Sequence, residues 1–266
     1  MYDDFTKVFP AQMKIRILGA SGGIGAQART TSILVDHDIL IDAGTGVGDL
    51  TLEEMRAIDH VFLTHSHLDH VTMLPFMLDT VGADRIQPVQ VHAQEATLAT
   101  LRTHLFNGQL WPDFSRIPAP EAPFMTYHLL PAGGEVTLNQ RRVRSIPVTH
   151  AVPAVGYLLS GAQGSLAFSG DTTTTEEFWK VLNATGDLRH VIIETSFLDH
   201  DEKLSRISKH LCPSLLADEL KKLKLGPQVH ITHLMPGRED DIMREIARHI
   251  PDNTPRRLMR GEVFEL

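Results

Sequence analysis

The stretch Val61-Phe62-Leu63-Thr64-His65-Ser66-His67-Leu68-Asp69-His70 decides how this chain is read. Val61 to Leu63 is a short apolar run of strand type, and His65, His67, Asp69 and His70 follow it almost at once. Such a cluster at a strand end cannot all be core packing, because each buried polar side chain would need a partner of its own. A shared cation meets that need. In an extended turn His65 and His67 point the same way and can grip one ion, while Asp69 and His70, on the helix that begins there, face a second.

The flanking sequence alternates strands and helices. Met13 to Leu18 has the period-2 pattern of a strand, Thr31 to Val35 and Asp38 to Ile41 form a hairpin turning at Asp36-His37, and Leu52 to Ile58 is a short helix. Further strands are expected at Val89 to Val91, Arg142 to Val148, Tyr157 to Ser160, Ser165 to Ser169, His190 to Glu194 and Val229 to Thr232. Helices are expected at Leu68 to Leu78, Glu95 to Leu105, Thr175 to Leu182, Pro213 to Leu223 and Glu239 to His249. Such a pattern predicts sheets packed together with helices outside, an α/β architecture. No repeat or linker divides the chain, so residues 1–12 read as a lead-in and 13–266 as one domain. Trp111 to Pro131 holds five prolines and is expected to be an irregular surface excursion. Its aromatics Trp111, Phe114, Phe124 and Tyr127 could stack on a purine, but packing on their own domain or a second subunit is the simpler reading. Gly19 to Gly25 follows a strand as a dinucleotide-binding turn would. The β-rich run from Thr30 to Val35 leaves no room for the helix such a turn must open, so it reads as a tight backbone turn beneath the active site.

Composition narrows the classes further. Of 266 residues 42 % are apolar and 22 % charged, an ordinary globular mix. No apolar run reaches the roughly 18 residues needed to cross a bilayer, and Met1-Tyr2-Asp3-Asp4 opens without a basic or apolar leader, so the expectation is a cytoplasmic protein. Cys212 is alone, which excludes an internal disulfide and a cysteine zinc cage. A net charge of -8 disfavours broad capture of nucleic acid. Fifteen histidines are the one anomaly, and imidazole is the commonest side-chain metal ligand.

The His65 to His70 cluster resembles the metal-binding motif of the metallo-β-lactamase superfamily, and the resemblance extends along nearly the whole chain. Ile39-Leu40-Ile41-Asp42-Ala43-Gly44 is similar to the family's strand and turn before the motif. His150, after the strand Arg142 to Val148, matches its next ligand, Asp171 in Phe168-Ser169-Gly170-Asp171-Thr172 its bridging carboxylate, and His233, after Val229 to Thr232, its last ligand. The resemblance implies a four-layer αββα sandwich, two mixed β-sheets face to face with helices outside. It implies two divalent metal ions, one held by His65, His67 and His150, the other by Asp69, His70 and His233, with Asp171 between them. Zn²⁺ is the expected metal, and Mn²⁺ or iron suits the same ligands. Asp42 is expected to orient a ligand histidine from behind. His37, His60, His92, His104, His128, His190, His230 and His249 have no such placement and read as ordinary histidines.

Two divalent ions carry +4, and Asp69, Asp171 and a bridging hydroxide remove three charges, leaving about +1, which an anionic phosphodiester would cancel. The metals alone also suit thioesters, lactones, β-lactams or sulfate esters. Ile192-Ile193-Glu194-Thr195-Ser196-Phe197, followed by His210-Leu211-Cys212-Pro213, resembles a segment of the phosphodiesterase branches, where a glutamate and a histidine flank the metals. The resemblance therefore gives Glu194, His210 and Asp69 a part in catalysis. The chain is most similar to class II 3′,5′-cyclic-nucleotide phosphodiesterases through His67-Leu68-Asp69-His70, Glu194 to Phe197, Leu215 to Leu220 and Ile231-Thr232-His233-Leu234. It departs from them at Met73, where a small residue is usual. The implied reaction is metal-hydroxide attack on phosphorus, converting cyclic AMP or cyclic GMP to a nucleoside monophosphate, with His210 as general acid and Glu194 holding it. The alternative is an RNA 3′-end endonuclease similar to tRNase Z, or another ester hydrolase of the same fold. Against RNA stand the acidic balance and the lack of a glycine-rich basic arm. A homodimer is common in the resembling families.

Overall fold

The apolar run ending at Leu63 lies in the middle of a mixed sheet whose strand ends form one rim of the molecule. The computed structural model describes residues 12–266, and of the lead-in expected at 1–12 only Gln12 falls among them. The strands are β1 (Lys14–Gly19), β2 (Ser32–Val35), β3 (Ile39–Ile41), β4 (His60–Phe62), β5 (Val89–Ala93), a two-stranded ribbon β6 (Pro118–Ala119) and β7 (Ala122–Pro123), and β8 (Met125–Leu129). They continue as β9 (Glu135–Leu138), β10 (Arg141–Val148), β11 (Ala154–Ser160), β12 (Ser165–Phe168), β13 (Leu188–Glu194), β14 (Gln228–Thr232), β15 (Arg256–Arg257) and β16 (Val263–Glu265). The helices are α1 (Leu52–Ala57), α2 (Leu68–Val71), α3 (Met73–Val81), α4 (Glu95–Thr100), α5 (Glu177–Asn183), α6 (Glu202–Ser208), α7 (Pro213–Leu220) and α8 (Glu239–His249). One sheet runs β16-β1-β2-β3-β4-β5-β8 and the other β15-β14-β13-β12-β11-β10-β9.

Side chains alternate across each strand, so each sheet has an inner and an outer apolar face. Ile15, Ile33 and Phe62 of the first sheet meet Val143, Tyr157, Phe168 and Ile192 of the second in a core between the sheets. On the first sheet's other face Leu40, Val61 and Val91 pack under Leu74, Leu78 and Leu98. On the second sheet's other face Ala167, Val191 and Ile231 pack under Trp179, Leu216 and Ile246. Three apolar layers separating four layers of structure give the αββα sandwich that the resemblance implies. Tyr157 ties the sheets together at the rim, its hydroxyl donating to the Leu63 carbonyl at 2.8 Å, just where the histidine motif begins.

Several local expectations need correction. The helix expected over Leu68 to Leu78 is broken at Thr72, because the Met73 amide donates to the Ala43 carbonyl (2.8 Å) instead of continuing the α-helical ladder. The stretch from Trp111 to Pro131 is not wholly irregular. Its second half enters the first sheet as β8, paired with β5, and Phe114 is only 2 % exposed, with Trp111, Phe124 and Tyr127 packed around the same core. Tyr127 also lies under the Arg102 guanidinium, so its ring is occupied by the protein itself. Short α6, whose apolar Leu204 and Ile207 are exposed, lacks the buried stripe that periodicity detects. No helix among the described residues is long and apolar enough to cross a membrane.

Histidines without a placement on the rim divide into exposed and buried ones. His92 stacks on Phe62 and shares a 3.1 Å hydrogen bond with His60, and His230 shares one of 3.3 Å with His190. His92 and His230 are therefore polar residues of the core rather than surface ones.

Candidate metal centre

The motif turn leaves β4, His150 follows β10, Asp171 follows β12, Glu194 ends β13 and His233 follows β14. All meet at one rim of the sandwich. Backbone shape there is demanding: Asp42 and His233 adopt the left-handed region, with φ of 56° and 59°. The chain packs so closely that a Cβ on Gly44 would lie 2.5 Å from the Asp69 carbonyl oxygen, and one on Gly22 would lie 2.6 Å from that of His233. The Gly19 to Gly25 loop is thus a support for His233, and no helix opens after it.

Hydrogen bonds around the rim assign the imidazole tautomers. Asp42 accepts from His70 Nδ1 (2.7 Å), from the Thr64 amide (2.8 Å) and from the Thr64 hydroxyl (2.8 Å). With its own proton given to Asp42, Thr64 Oγ1 accepts from His65 Nδ1 at 2.9 Å. Asp42 thereby orients His70 directly and His65 through Thr64. His150 Nδ1 donates to the Lys209 carbonyl at 3.0 Å, and His233 Nδ1 donates to Ser196 Oγ at 2.9 Å. Each of these bonds places the Nδ1 proton on the outer side, so Nε2 is the nitrogen that faces inward and that a cation would take.

Two groups result. His65, His67, His150 and Asp171 present ligand atoms all within 4.8 Å of one another, and so do Asp69, His70, Asp171 and His233. Asp171 belongs to both, with Oδ1 at 3.3 Å from His70 Nε2 and Oδ2 at 3.4 Å from His233 Nε2. The buried Nε2 atoms of His65 and His70 have no hydrogen-bond partner. Buried ring nitrogens that converge on a carboxylate common to both groups are what divalent cations would satisfy, so the residues fit two ions.

Charge differs between the two groups. Burial, reinforced by neighbouring histidines, holds His65 well below the usual imidazole range, and it lowers His67 and His150 as well. Burial also opposes charge on His70, but Asp171 and Asp42 outweigh it and raise that ring well above its ordinary value. Beside the pockets, Glu194 is fully buried and accepts from His210 Nδ1 (2.7 Å), the Thr172 amide (3.1 Å), Ser196 Oγ (3.1 Å) and the Leu211 amide (3.2 Å). Burial works against a charged His210, yet Glu194 pushes its pKa up to about 9. The His210 ring lies 5.3 Å from that of His233 and 5.0 Å from that of His150. The structure thus brings together every site residue expected from sequence. Sequence reading did not single out Thr64, the Lys209 carbonyl or the individual role of Ser196.

A model of the beta-lactamase superfamily domain matches residues 37–256. The chain belongs to that superfamily. Within it, the chain is 26 % identical over 292 aligned positions to a ribonuclease Z of Bradyrhizobium diazoefficiens, covering 90 % of this chain and 95 % of the relative. It is 24 % identical to a probable 3′,5′-cyclic-nucleotide phosphodiesterase of Yersinia pestis, covering 87 % and 81 %. Among solved structures, unliganded yeast PDE1 superposes with a TM-score of 0.80 at 18 % identity, over 96 % of this chain and 99 % of that one. The short form of human tRNase Z superposes at 0.65 and 16 % identity, over 95 % and 98 %. The metallo-β-lactamase fold is common to them, and the relatives are hydrolases.

Proposed function

We propose that this chain is a phosphodiesterase with two divalent metal ions that hydrolyses 3′,5′-cyclic nucleotides to nucleoside monophosphates, residues 13–266 acting as one catalytic domain. The observation that carries the reading is the placement of a paired acid, His210 on Glu194, directly beside two pockets that share Asp171. His65, His67 and His150 would hold one ion, Asp69, His70 and His233 the other, and Asp171 both. Zn²⁺ is the ion we assign, since imidazole and carboxylate suit it well. Such a pair supplies hydroxide at neutral pH and binds the charge that develops on phosphorus.

The protein's own residues then have separate tasks. Asp42 and Thr64 hold His65 and His70 in the tautomer with Nε2 free. Asp69, about one-third exposed, is the carboxylate of the set that solvent reaches, whereas Asp171 is buried. A departing ribose oxygen is a poor leaving group, and the ligand histidines would be committed to the metals through one nitrogen and, in four of the five, to protein acceptors through the other. His210 is the group placed to hold a proton, because Glu194 accepts from its Nδ1 and favours the charged ring, and it lies against both pockets.

A second reading, RNA 3′-end cleavage, draws support from the ribonuclease Z relative, which aligns over slightly more of both chains than the phosphodiesterase does. The favoured reading draws support from the excursion at residues 111–131. It packs on its own domain and has Arg116 as its one cation, a poor clamp for a polyanion. The deciding assay offers purified Zn²⁺- or Mn²⁺-loaded protein cyclic AMP, cyclic GMP, a tRNA precursor and bis-p-nitrophenyl phosphate. Turnover of the cyclic nucleotides is expected. Clean cutting of the precursor with cyclic nucleotides untouched would put the second reading in its place.

A further inference from the structure

Ser196 lies just beyond β13 and is 1 % exposed. Its hydroxyl is 2.9 Å from His233 Nδ1, 3.1 Å from Glu194 Oε2 and 3.3 Å from His210 Nδ1. We propose that Ser196 is a positioning residue, joining His233 to the Glu194–His210 pair so that one pocket and the acid are set by a single chain of hydrogen bonds. The inference rests on the reading of the site given above.

Proton bookkeeping supports it. A hydroxyl has one proton and two lone pairs, and a carboxylate only accepts. Ser196 therefore donates to Glu194 Oε2, and a lone pair on its oxygen receives the proton of His233 Nδ1. His233 Nε2, 3.3 Å from Asp69 Oδ2 and 3.4 Å from Asp171 Oδ2, is the nitrogen left for a cation, which would take the place of a proton shared with those carboxylates. His210 Nδ1 gives its proton to the nearer Glu194 Oε1. Each proton then has one place. A cation on Nε2 would draw electron density from the His233 ring and make its Nδ1–H a better donor, so loading that pocket would tighten the contacts that hold His210 in place.

Ser196→Ala would leave His233 Nδ1 without its acceptor and remove a donor from Glu194, both in the buried interior. Metal titration with Zn²⁺ alone, against a competing chelator, should show one of two binding steps weakened about 10–100-fold and the other little changed, as is typical when a group behind a ligand is lost. Ser196→Thr, which keeps the hydroxyl, should restore it. The loss in kcat should also be larger for cyclic AMP than for bis-p-nitrophenyl phosphate, because only the former needs a positioned acid. If Ser196→Ala fails to fold, Ser196→Cys carries the same expectation, since a thiol is a weak donor and acceptor of similar size. Wild-type binding of both ions with an unchanged rate ratio in either variant would reduce Ser196 to packing and overturn the inference. Failure of the wild-type protein to bind a second ion would instead overturn the reading of the site.

Discussion

His67 Nδ1 and His150 Nε2 face each other across 3.2 Å, while the other ring nitrogen of His150 is already committed to the Lys209 carbonyl. Two nitrogens on one tetrahedral zinc, each about 2.0–2.1 Å from it, stand about 3.3 Å apart. The spacing is thus one that two ligands of a common ion would take. Asp171 reaches both groups, so Asp171→Ala should lower occupancy of both ions, whereas His233→Ala should chiefly empty one. Elemental analysis after gel filtration checks this, and equal loss in the two variants would contradict the shared role of Asp171.

Asp42 supports two proposed ligands at once, His70 directly and His65 through Thr64. Asp42→Asn should therefore weaken metal binding by at least the 10–100-fold expected for losing one such support. Chelator competition measures it, and affinity within threefold of wild type would show that the rings need no such anchor.

General acid catalysis contributes about 10²–10⁴-fold. His210→Ala should slow cyclic AMP hydrolysis by about that factor, yet cost much less on bis-p-nitrophenyl phosphate, whose leaving group departs without a proton. Equal losses on both substrates at unchanged metal content would mean that His210 shapes the pocket and donates no proton.

Stability should fall with acid through two core histidines that are not among the proposed ligands. Burial, with His128 and His60 adding to it, drives His92 down to about 3, and burial outweighs Glu262 to bring His230 down to about 4. Folding favours their neutral forms. The stability they contribute is whole above the unfolded value near 6.5 and is lost as pH falls toward 4 and then 3. Between pH 6.5 and 4.5 the loss should be on the order of 2–4 kcal/mol. Urea unfolding in chelator should show a smaller loss over that range for the double variant His92→Gln, His230→Gln. An identical pH dependence in the two proteins would sink the prediction.

Much of the candidate centre was legible because its proposed ligands follow apolar strands, and a strand end is visible as a change from apolar run to polar cluster. His150, Asp171 and His233 acquire meaning from the same rule together with the resemblance. What stayed hidden is carried by the backbone or by fold-dependent contacts. The Lys209 carbonyl leaves no mark in a side-chain pattern, and Ser196 has meaning only once β13 and β14 bring it beside His233. Local pattern likewise misses the break at Thr72, which a tertiary bond to Ala43 causes, and β8, whose five residues follow a proline-rich loop. His92 and His230 read as ordinary histidines because only the packing of two sheets makes them core residues.

The most direct test of the account is cyclic AMP hydrolysis measured while metal-free protein is titrated with Zn²⁺ or Mn²⁺ from zero to two equivalents per chain. The account predicts a monophosphate product, with activity reaching its plateau only at two equivalents. Full activity at one equivalent, or no hydrolysis at two, would contradict it.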